Sequence, residues 1–169
     1  MILWCDEYMS EKHTISCLVE NHFGVLARVS GLISARGFNI DSLTVSATED
    51  STVSRMTIVV DVDTPQKLDQ VKHQLSRLID VIEVQELKEG AFIDRELLLA
   101  RVCTNGVHRK ALLQIVEQFG ARVADDTSAD SLVIEAMGDT TRLDGLVELL
   151  KPHGIKQLVR TGRIALERQ

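Results

Sequence analysis

Aromatic side chains are scarce in this sequence, since Phe, Trp and Tyr make up only 4% of its 169 residues. Leu, Ile, Val and Ala must therefore build any core, and a hydrophobic content of 44% is enough for a globular one. The length allows one medium domain or two small ones.

The sequence also lacks a run of basic residues, and its formal net charge is −6. Proteins that bind nucleic acid neutralise phosphates with clustered Lys and Arg, and anionic membrane surfaces attract the same clusters. The charge pattern therefore argues against nucleic acid and against a membrane as partners.

Long hydrophobic runs are absent as well, because no stretch approaches the roughly 18 apolar residues of a membrane-spanning helix. Residues 1–12 have an apolar start with acidic flanks, which makes a poor signal peptide, and we interpret them as an N-terminal tail. The three cysteines, Cys5, Cys17 and Cys103, are widely spaced and form no CxxC pair. Cys17 falls on the apolar phase of a strand pattern, which favours a small buried hydrophobe. We expect a reducing, cytoplasmic compartment.

Hydrophobic periodicity predicts the order strand, helix, strand, strand, helix, strand in the first half. The strands are expected at 12–20, 38–48, 54–62 and 79–87, with helices at 24–36 and from Pro65 to about Leu78. Gly37 is a good stop for the first helix, and Thr64 followed by Pro65 is a strong start for the second.

The same order recurs after a short linker around Gly90. Strands are expected at 96–104, 122–126, 132–137 and 155–166, with helices at 107–119 and after a cap at Asp139 or Thr140. The repeat is one of element order, since the two halves share little sequence. We therefore predict an α+β fold of two tandem ferredoxin-like βαββαβ units, at 13–88 and 89–169, each a sheet with two helices on one face.

Each unit is small, and a domain of about 75 residues buries only about 60% of the surface that its unfolded chain exposes. Apolar residues such as Leu18 and Val59 fall on the sheet phase opposite the set that faces the helices. Covering that face, or pairing sheet edges with another chain, would offset the deficit. We therefore expect a homodimer at least.

Catalytic motifs are scarce. The five histidines show no HxxxH or HExxH spacing, and no GxSxG, P-loop or GxGxxG motif occurs. Two pairs of carboxylates lie near strand ends, Asp61 with Asp63 and Asp125 with Asp126. On a chain this acidic, solvated loop positions are favoured over a metal or acid–base role. His22, in the first strand–helix loop, is likewise favoured as an exposed loop histidine over a ligand or a base.

The loop from Asn21 to Gly24 leads into the first helix, where a small anion can bind. The first backbone N–H groups of a helix lack partners within the helix, and the helix dipole adds positive potential. Gly24 has no Cβ, so a carboxylate can approach the backbone closely. Asn21 donates and accepts, which suits either pole of a zwitterion. Val25 and Leu26 would supply apolar walls.

Asn39 begins the second strand, which we expect to run back beside the first. From an adjacent or symmetry-related position its side chain would hold an ammonium group, so these residues together suit a small aliphatic amino acid. Plainer roles are open on the same residues. Asn21 would cap the helix, Gly24 would ease a tight turn, and the residues from Gly37 to Asn39 would form a helix end and a strand entry.

The stretch VENHFGVLARVSGLISARGFNIDSLTVSATEDSTVSRMTIVVD closely resembles the N-terminal ACT domain of the small, regulatory subunit of acetolactate synthase (acetohydroxyacid synthase). The family patterns E-N-x-x-G-x-L-x-R-V-x-G-L, R-G-[YF]-N-I-[DE]-S-L and S-R-M-T occur in order. The match continues through LIDVIEV and DRELLLARV to RTGRIAL and covers nearly the whole chain. The second half matches more loosely, and the tail is longer than in bacterial members.

The resemblance implies a regulatory subunit with no catalytic residues and no cofactor or metal of its own. Such subunits bind and activate a large catalytic subunit, which carries thiamine diphosphate, a divalent metal and FAD. They also confer feedback inhibition by L-valine in branched-chain amino-acid biosynthesis. Within the family, the second half is associated with the contact to the large subunit.

The valine sites of the family lie between the ACT domains of two subunits. The family positions fall here on Asn21, Gly24 and Asn39, with the backbone at Val25, Leu26 and Ile40 nearby. Three alternatives remain open at this point: an ACT-type sensor that regulates a different enzyme, a small enzyme on the same fold, and an activation-only subunit without feedback.

Overall fold

The structure, a computed structural model, describes residues 11–104 and 108–168. The described residues up to Ile93, together with 165–168, cluster as one unit, and those from Asp94 to Ile164 cluster as a second. Most of the predicted tail, including Cys5, and the predicted start of the third helix at Val107 lie outside the described residues. No helix in the described part of the chain is long and apolar enough to cross a membrane.

The first unit has the predicted element order. It contains β1 (Glu11–Glu20), α1 (Val25–Ala35), β2 (Asn39–Ala47), β3 (Val53–Val62), α2 (Pro65–Leu75) and β4 (Val81–Leu87). Its strands form an antiparallel sheet in the order β2-β3-β1-β4. The expectation that β2 lies beside β1 is wrong, because a split βαβ arrangement inserts β3 between these two strands.

The core of the first unit follows the two periodicities read from the sequence. Its buried members recur at every second strand position and every third or fourth helix position: Ile15, Cys17, Val19, Val25, Val29, Ile33, Met56, Ile58, Val60, Val62, Leu68, Val71 and Leu75. Cys17 is fully buried, and desolvation raises the pKa of its thiol to about 12. Cys17 is therefore a small buried hydrophobe, as predicted.

Side chains cap the starts of α2 and α4. The Thr64 hydroxyl accepts from the N–H of Lys67 at 3.4 Å, and Pro65 occupies the first helical position of α2. At α4 the Asp139 carboxylate accepts from the N–H of Arg142 at 2.8 Å, which selects Asp139 over Thr140 as the cap. Both caps satisfy backbone donors that have no partner within the helix.

The end of α1 is closed by backbone hydrogen bonds. Gly37 has a φ of 78°, and its N–H donates to the carbonyl of Ser34 at 3.0 Å. The N–H of Phe38 donates to the carbonyl of Ile33 at 3.3 Å. These two bonds form a Schellman motif, so Gly37 ends the helix as predicted.

The rest of the chain repeats the arrangement. It contains β5 (Phe92–Cys103), α3 (His108–Gln118), β6 (Arg122–Asp125), β7 (Ser131–Gly138), α4 (Thr140–Leu150), a 3₁₀ turn (Lys151–His153), β8 (Ile155–Arg160) and β9 (Ile164–Glu167). The strand order is β6-β7-β5-β8, equivalent to that of the first sheet, and β9 pairs with β5. The predicted α+β fold of two ferredoxin-like units is thus confirmed.

The prediction of a single strand at 155–166 is wrong, because a turn separates β8 from β9. Gly162 has a φ of 82°, a left-handed conformation that ends an extended segment. Thr161 is held at the break by Leu97, whose N–H donates to the Thr161 hydroxyl at 3.1 Å and whose carbonyl accepts from the Thr161 N–H at 3.1 Å. Ile164 and Leu166 keep the alternation of a strand, so periodicity alone did not reveal the turn.

A buried ion pair joins β5 to β8 in the second unit. The side chain of Glu96 is only 7% exposed, and it accepts from Nε of Arg160 at 2.7 Å. The Thr140 hydroxyl donates to its other oxygen at 2.8 Å. These bonds satisfy a carboxylate that would otherwise be costly to bury.

Candidate functional site

The start of α1 has no side-chain cap among the described residues. Gly24 precedes the helix with a φ of 84° and a ψ of −10°, a left-handed conformation that is strained for residues with a Cβ. The first turn of α1 contains no acidic residue. The backbone N–H groups at this end therefore remain open to a ligand that can accept hydrogen bonds.

Asn21 does not cap α1, so the alternative prediction of a helix-capping role for it is wrong. Its backbone N–H donates to the carbonyl of Thr52 at 2.7 Å, and its Nδ2 donates to the carbonyl of Ser51 at 2.8 Å. Both bonds tie the loop before α1 to the turn between β2 and β3. The side-chain oxygen of Asn21 meets no donor within the described ranges and stays available to a ligand.

A cluster of charged side chains lies against the start of α1. The carboxylate of Asp80 is 7% exposed, and its Oδ2 accepts from Nε of Arg28 at 2.6 Å. Its Oδ1 lies 3.1 Å from Nε2 of His22, and Oε2 of Glu20 lies 3.1 Å from the same nitrogen. The backbone N–H of Glu20 also donates to the carbonyl of Asp80 at 2.8 Å. The cluster thus joins β1, the loop, α1 and the start of β4.

Among residues 11–104 and 108–168, the contacts of His22 are all with hydrogen-bond acceptors. Its Nε2 faces the carboxylates of Glu20 and Asp80, and its Nδ1 lies 3.1 Å from the carbonyl oxygen of Phe23. His22 is therefore an exposed loop histidine, as expected, and its ring is held by contacts within hydrogen-bond distance.

Glu20, His22 and Asp80 also offer three possible metal-ligand atoms within 4.8 Å of one another. The contacts of Arg28 and His22 with the Asp80 oxygens already account for this convergence. The arrangement therefore needs no metal ion to explain it.

Arg28 and Asp80 are the residues that sequence reasoning missed. Arg28 lies one turn into α1, and a Cβ built on Gly24 would lie 3.2 Å from its Nη1. A basic residue at that position was a usable signal, because helical side chains lean toward the helix start. Asp80 lies 52 residues away in sequence, and no local pattern links it to Arg28.

The structure places the two halves of the predicted site at opposite ends of the first unit. Asn39 pairs with Asp61 on β3, and Asp61 pairs with Lys12 near the start of β1. Asn21 lies nine positions after Lys12, and at about 3.3 Å per position this part of the chain spans about 30 Å. An adjacent position for Asn39 within one chain is therefore excluded.

A cavity of about 370 Å³ lies at the Asn39 end of the unit. Its lining includes Asn39 and charged side chains of both signs, among them Arg36, Asp61 and Lys67. Ile40, the next residue of β2, pairs with β3 and packs against the core. The Asn39 end thus offers polar and charged groups beside a space large enough for a small ligand.

The apolar walls at the Gly24 end differ from those predicted. Val25 is buried in the core with 2% exposure, so its side chain is not available as a wall. Leu26 is 46% exposed, and Phe23, which directly precedes Gly24, is fully exposed. The apolar surface next to Gly24 therefore comes from Leu26 and Phe23.

Three of the four carboxylates noted in the sequence take part in turns or ion pairs. Asp63 lies 2.7 Å from the Lys67 ammonium group, and this hydrogen bond lowers the pKa of Asp63. Asp125 accepts from the backbone N–H and hydroxyl of Thr127, which lowers its pKa. Asp126 pairs with an arginine of α3. These contacts favour the interpretation of solvated carboxylates for these three residues. The same interpretation is wrong for Asp61, which lies within β3 and whose Oδ1 is buried without a hydrogen-bond partner in the described part of the chain.

Family comparisons classify both units. A sequence model described as the ACT domain of AHAS (acetohydroxyacid synthase) small subunits matches residues 15–83. A second, described as the small subunit of acetolactate synthase, matches residues 95–169. The first unit, with the open helix start, is an ACT domain, and it is followed by a second ferredoxin-like unit.

Relatives match over almost the full length. The probable acetolactate synthase small subunit of Archaeoglobus fulgidus is 46% identical over 157 residues, which are 93% of this chain and 97% of the relative. The small subunit of Mycolicibacterium smegmatis is also 46% identical, over 92% of this chain and 91% of the relative. The chain belongs to the acetolactate synthase small-subunit family, as the sequence motifs predicted.

A solved structure agrees with this assignment. The acetolactate synthase small subunit of Thermotoga maritima superposes with a TM-score of 0.84 at 29% identity, over 94% of this chain and 98% of that one. The fold therefore matches a family member along both units. Membership of a small-subunit family implies a large catalytic subunit as partner.

Proposed function

We propose that this chain is a non-catalytic regulatory subunit, which activates the large subunit of acetolactate synthase and makes it sensitive to feedback inhibition by L-valine. The ACT unit, residues 13–88, would bind valine, and residues 89–169 would contact the large subunit. Thiamine diphosphate, a divalent metal and FAD would be carried by that partner. The observation that carries the proposal is the uncapped start of α1 at Gly24.

The carboxylate of valine would bind at the start of α1. The open N–H groups and the helix dipole favour an anion there, and Gly24 leaves the backbone accessible. The free side-chain oxygen of Asn21 would accept from the ammonium group. Leu26 and Phe23 would contact the aliphatic side chain.

The second half of each site would come from another copy of the chain. Gly24 and Asn39 lie at opposite ends of one unit, so a single chain cannot close the site. A two-fold axis would bring the Gly24 loop of one protomer to Asn39 and the Ile40 backbone of its partner, and the reverse. We therefore infer a homodimer with two equivalent valine sites.

Valine would act by favouring one arrangement of this dimer. A ligand shifts such an equilibrium only through its differential affinity for the two states. The favoured arrangement must then contact the large subunit differently. A metabolite sensor of this kind needs a dissociation constant between tens of micromolar and a millimolar, about −4 to −6 kcal/mol.

The first test is calorimetric titration of the purified chain with L-valine, with D-valine and L-lysine as controls. We expect saturable, stereospecific binding with one site per chain, followed by inhibition when the large subunit is added. The proposal is contradicted if about 10 mM valine gives neither heat nor thermal stabilisation, with or without the large subunit. Activation without inhibition would instead identify an activation-only subunit, and binding of another amino acid would identify a different sensor.

A further inference from the structure

The guanidinium group of Arg28 lies at the start of α1. The backbone N–H of Arg28 donates to the carbonyl of Gly24 at 3.0 Å, which places Arg28 one turn into the helix. Its side chain returns toward the helix start, so that a Cβ on Gly24 would lie 3.2 Å from Nη1 and 3.9 Å from Cζ. A carboxylate that approaches the backbone at Gly24 must therefore meet this group.

Asp80 fixes the orientation of the guanidinium. Its buried carboxylate accepts from Nε of Arg28 at 2.6 Å, the short distance of a charge-assisted hydrogen bond. Within the described ranges this is the only hydrogen bond of the Arg28 side chain. The two Nη groups keep their donors for another partner, and the side chain is 46% exposed.

The neighbouring charges leave room for an anion. Each carboxylate already has a hydrogen-bond partner, because Asp80 accepts from Nε of Arg28 and Oε2 of Glu20 lies 3.1 Å from Nε2 of His22. An approaching carboxylate meets the Nη groups of Arg28, since Nη1 is the heavy atom nearest to a Cβ built on Gly24. A cation near the start of a helix is repelled by the positive end of the helix dipole. An anion bound beside Arg28 would therefore stabilise the guanidinium in this position.

We propose that Arg28 binds the carboxylate of the amino acid through its Nη groups, and that Asp80 is the residue that positions it. Arginine presents parallel N–H donors that match the two oxygens of a carboxylate. The inference rests on the proposed function, because the ligand is the amino acid bound at Gly24. It adds a charged group to a site that backbone donors and Asn21 would otherwise form alone.

The test compares L-valine with L-valinamide on the wild-type chain and on Arg28→Gln, by calorimetry. Valinamide keeps the side chain and the ammonium group but lacks the carboxylate charge. A hydrogen bond to a charged group corresponds to about a tenfold to hundredfold change in affinity. Arg28→Gln should lose valine affinity by that factor and change little toward valinamide, so that the ratio of the two affinities falls toward one.

Two further variants keep the test decisive. Arg28→Gln leaves Asp80 buried without its cation, so the double variant Arg28→Gln/Asp80→Asn removes both charges and protects the fold. It should show the same fall in the affinity ratio. Arg77→Gln removes an exposed arginine of the same unit and should change both affinities less than about twofold.

The outcomes separate the two proposals. If both Arg28 variants bind valine and keep the wild-type affinity ratio, the role of Arg28 is wrong and the proposed function stands. Equal losses for valine and valinamide would show a purely structural role and would also overturn it. A wild-type chain that binds no valine would overturn the proposed function and, with it, the role of Arg28.

Discussion

Helices α1 and α2 have the same length, 11 residues, and lie in the same unit, yet they start in opposite ways. Thr64 and Pro65 close the start of α2, whereas α1 follows Gly24 without a cap. A suitable cap was near, since Asn21 lies three residues before Gly24. Its side chain instead bonds to the carbonyl of Ser51.

This difference shows that α1 is uncapped although a suitable capping residue lies nearby. At α2 and α4 the chain satisfies the free N–H groups with its own side chains, Thr64 and Asp139. At α1, Asn21 bonds to a neighbouring turn instead, and Arg28 and Asp80 lie beside the free N–H groups. Capped starts stabilise the fold, and the open start is free to bind a ligand.

The largest effect is expected from closing the open start with Gly24→Asp. The new side chain would put a carboxylate where the ligand carboxylate binds, and a Cβ at a left-handed φ against Arg28. We expect valine affinity to fall at least a hundredfold, about 2.7 kcal/mol, measured by calorimetry.

Gly31→Asp is the matched control for this variant. It adds the same charge on α1, at a position where a Cβ meets nothing within 4 Å. Its valine affinity should stay near that of the wild type. Wild-type affinity in Gly24→Asp would show that the proposed position of the ligand is wrong.

A mixed dimer tests whether the Gly24 loop of one chain and Asn39 of a second chain form one valine site. Asn39→Ala alone should weaken valine binding about tenfold, the cost of one hydrogen bond to a charged group. In a dimer of one Gly24→Asp chain and one Asn39→Ala chain, one site carries both changes and the other carries neither. Calorimetry should then find one valine per dimer bound with wild-type affinity.

Differently tagged chains allow this mixed dimer to be purified, and each homodimer of the two variants serves as its control. A site contained within one chain would leave every site of the mixed dimer altered. Weak binding throughout the mixed dimer would therefore contradict the two-chain site.

The smallest effect is expected at the capped start. Thr64→Ala removes the cap of α2 and should lower the free energy of unfolding by about 1 kcal/mol, measured by urea denaturation. Valine affinity should change little, because Thr64 lies outside the Gly24 loop and, unlike its neighbour Asp63, does not line the cavity at Asn39. Thr64→Ser keeps the hydroxyl and should retain most of the stability. Loss of valine binding in Thr64→Ala would mean that the two helix starts are not independent.

The structural features predicted correctly from the sequence are those determined by residues close together in the chain. Periodicity gave the helices and strands, and Gly37 and Thr64 gave one helix end and one helix start. The turn at Gly162 was missed, because Ile164 and Leu166 continue the alternation of a strand. Local patterns carry no information on which strands become neighbours, so β3 was not expected between β1 and β2.

The candidate site was only partly predictable for the same reason. Gly24 and the helix start are local features, and both were recognised. The partners of Asn21 and Arg28 come from distant turns, Ser51 and Asp80, so neither hydrogen bond could be read from spacing. The separation of Asn39 from Asn21, about 30 Å along the strand direction, follows from strand direction and pairing, which only the folded chain defines.

Because the thiol of Cys17 is buried in the core, its chemical modification can report how often the first unit opens. The thiolate is the form of cysteine that attacks alkylating reagents, and a pKa of about 12 leaves about one Cys17 thiol in ten thousand ionised at pH 8. Reaction at this residue must therefore wait until the core opens. The rate at which Cys17 becomes alkylated then measures how often β1 is exposed to solvent, and a bound ligand that stabilises the unit would slow it.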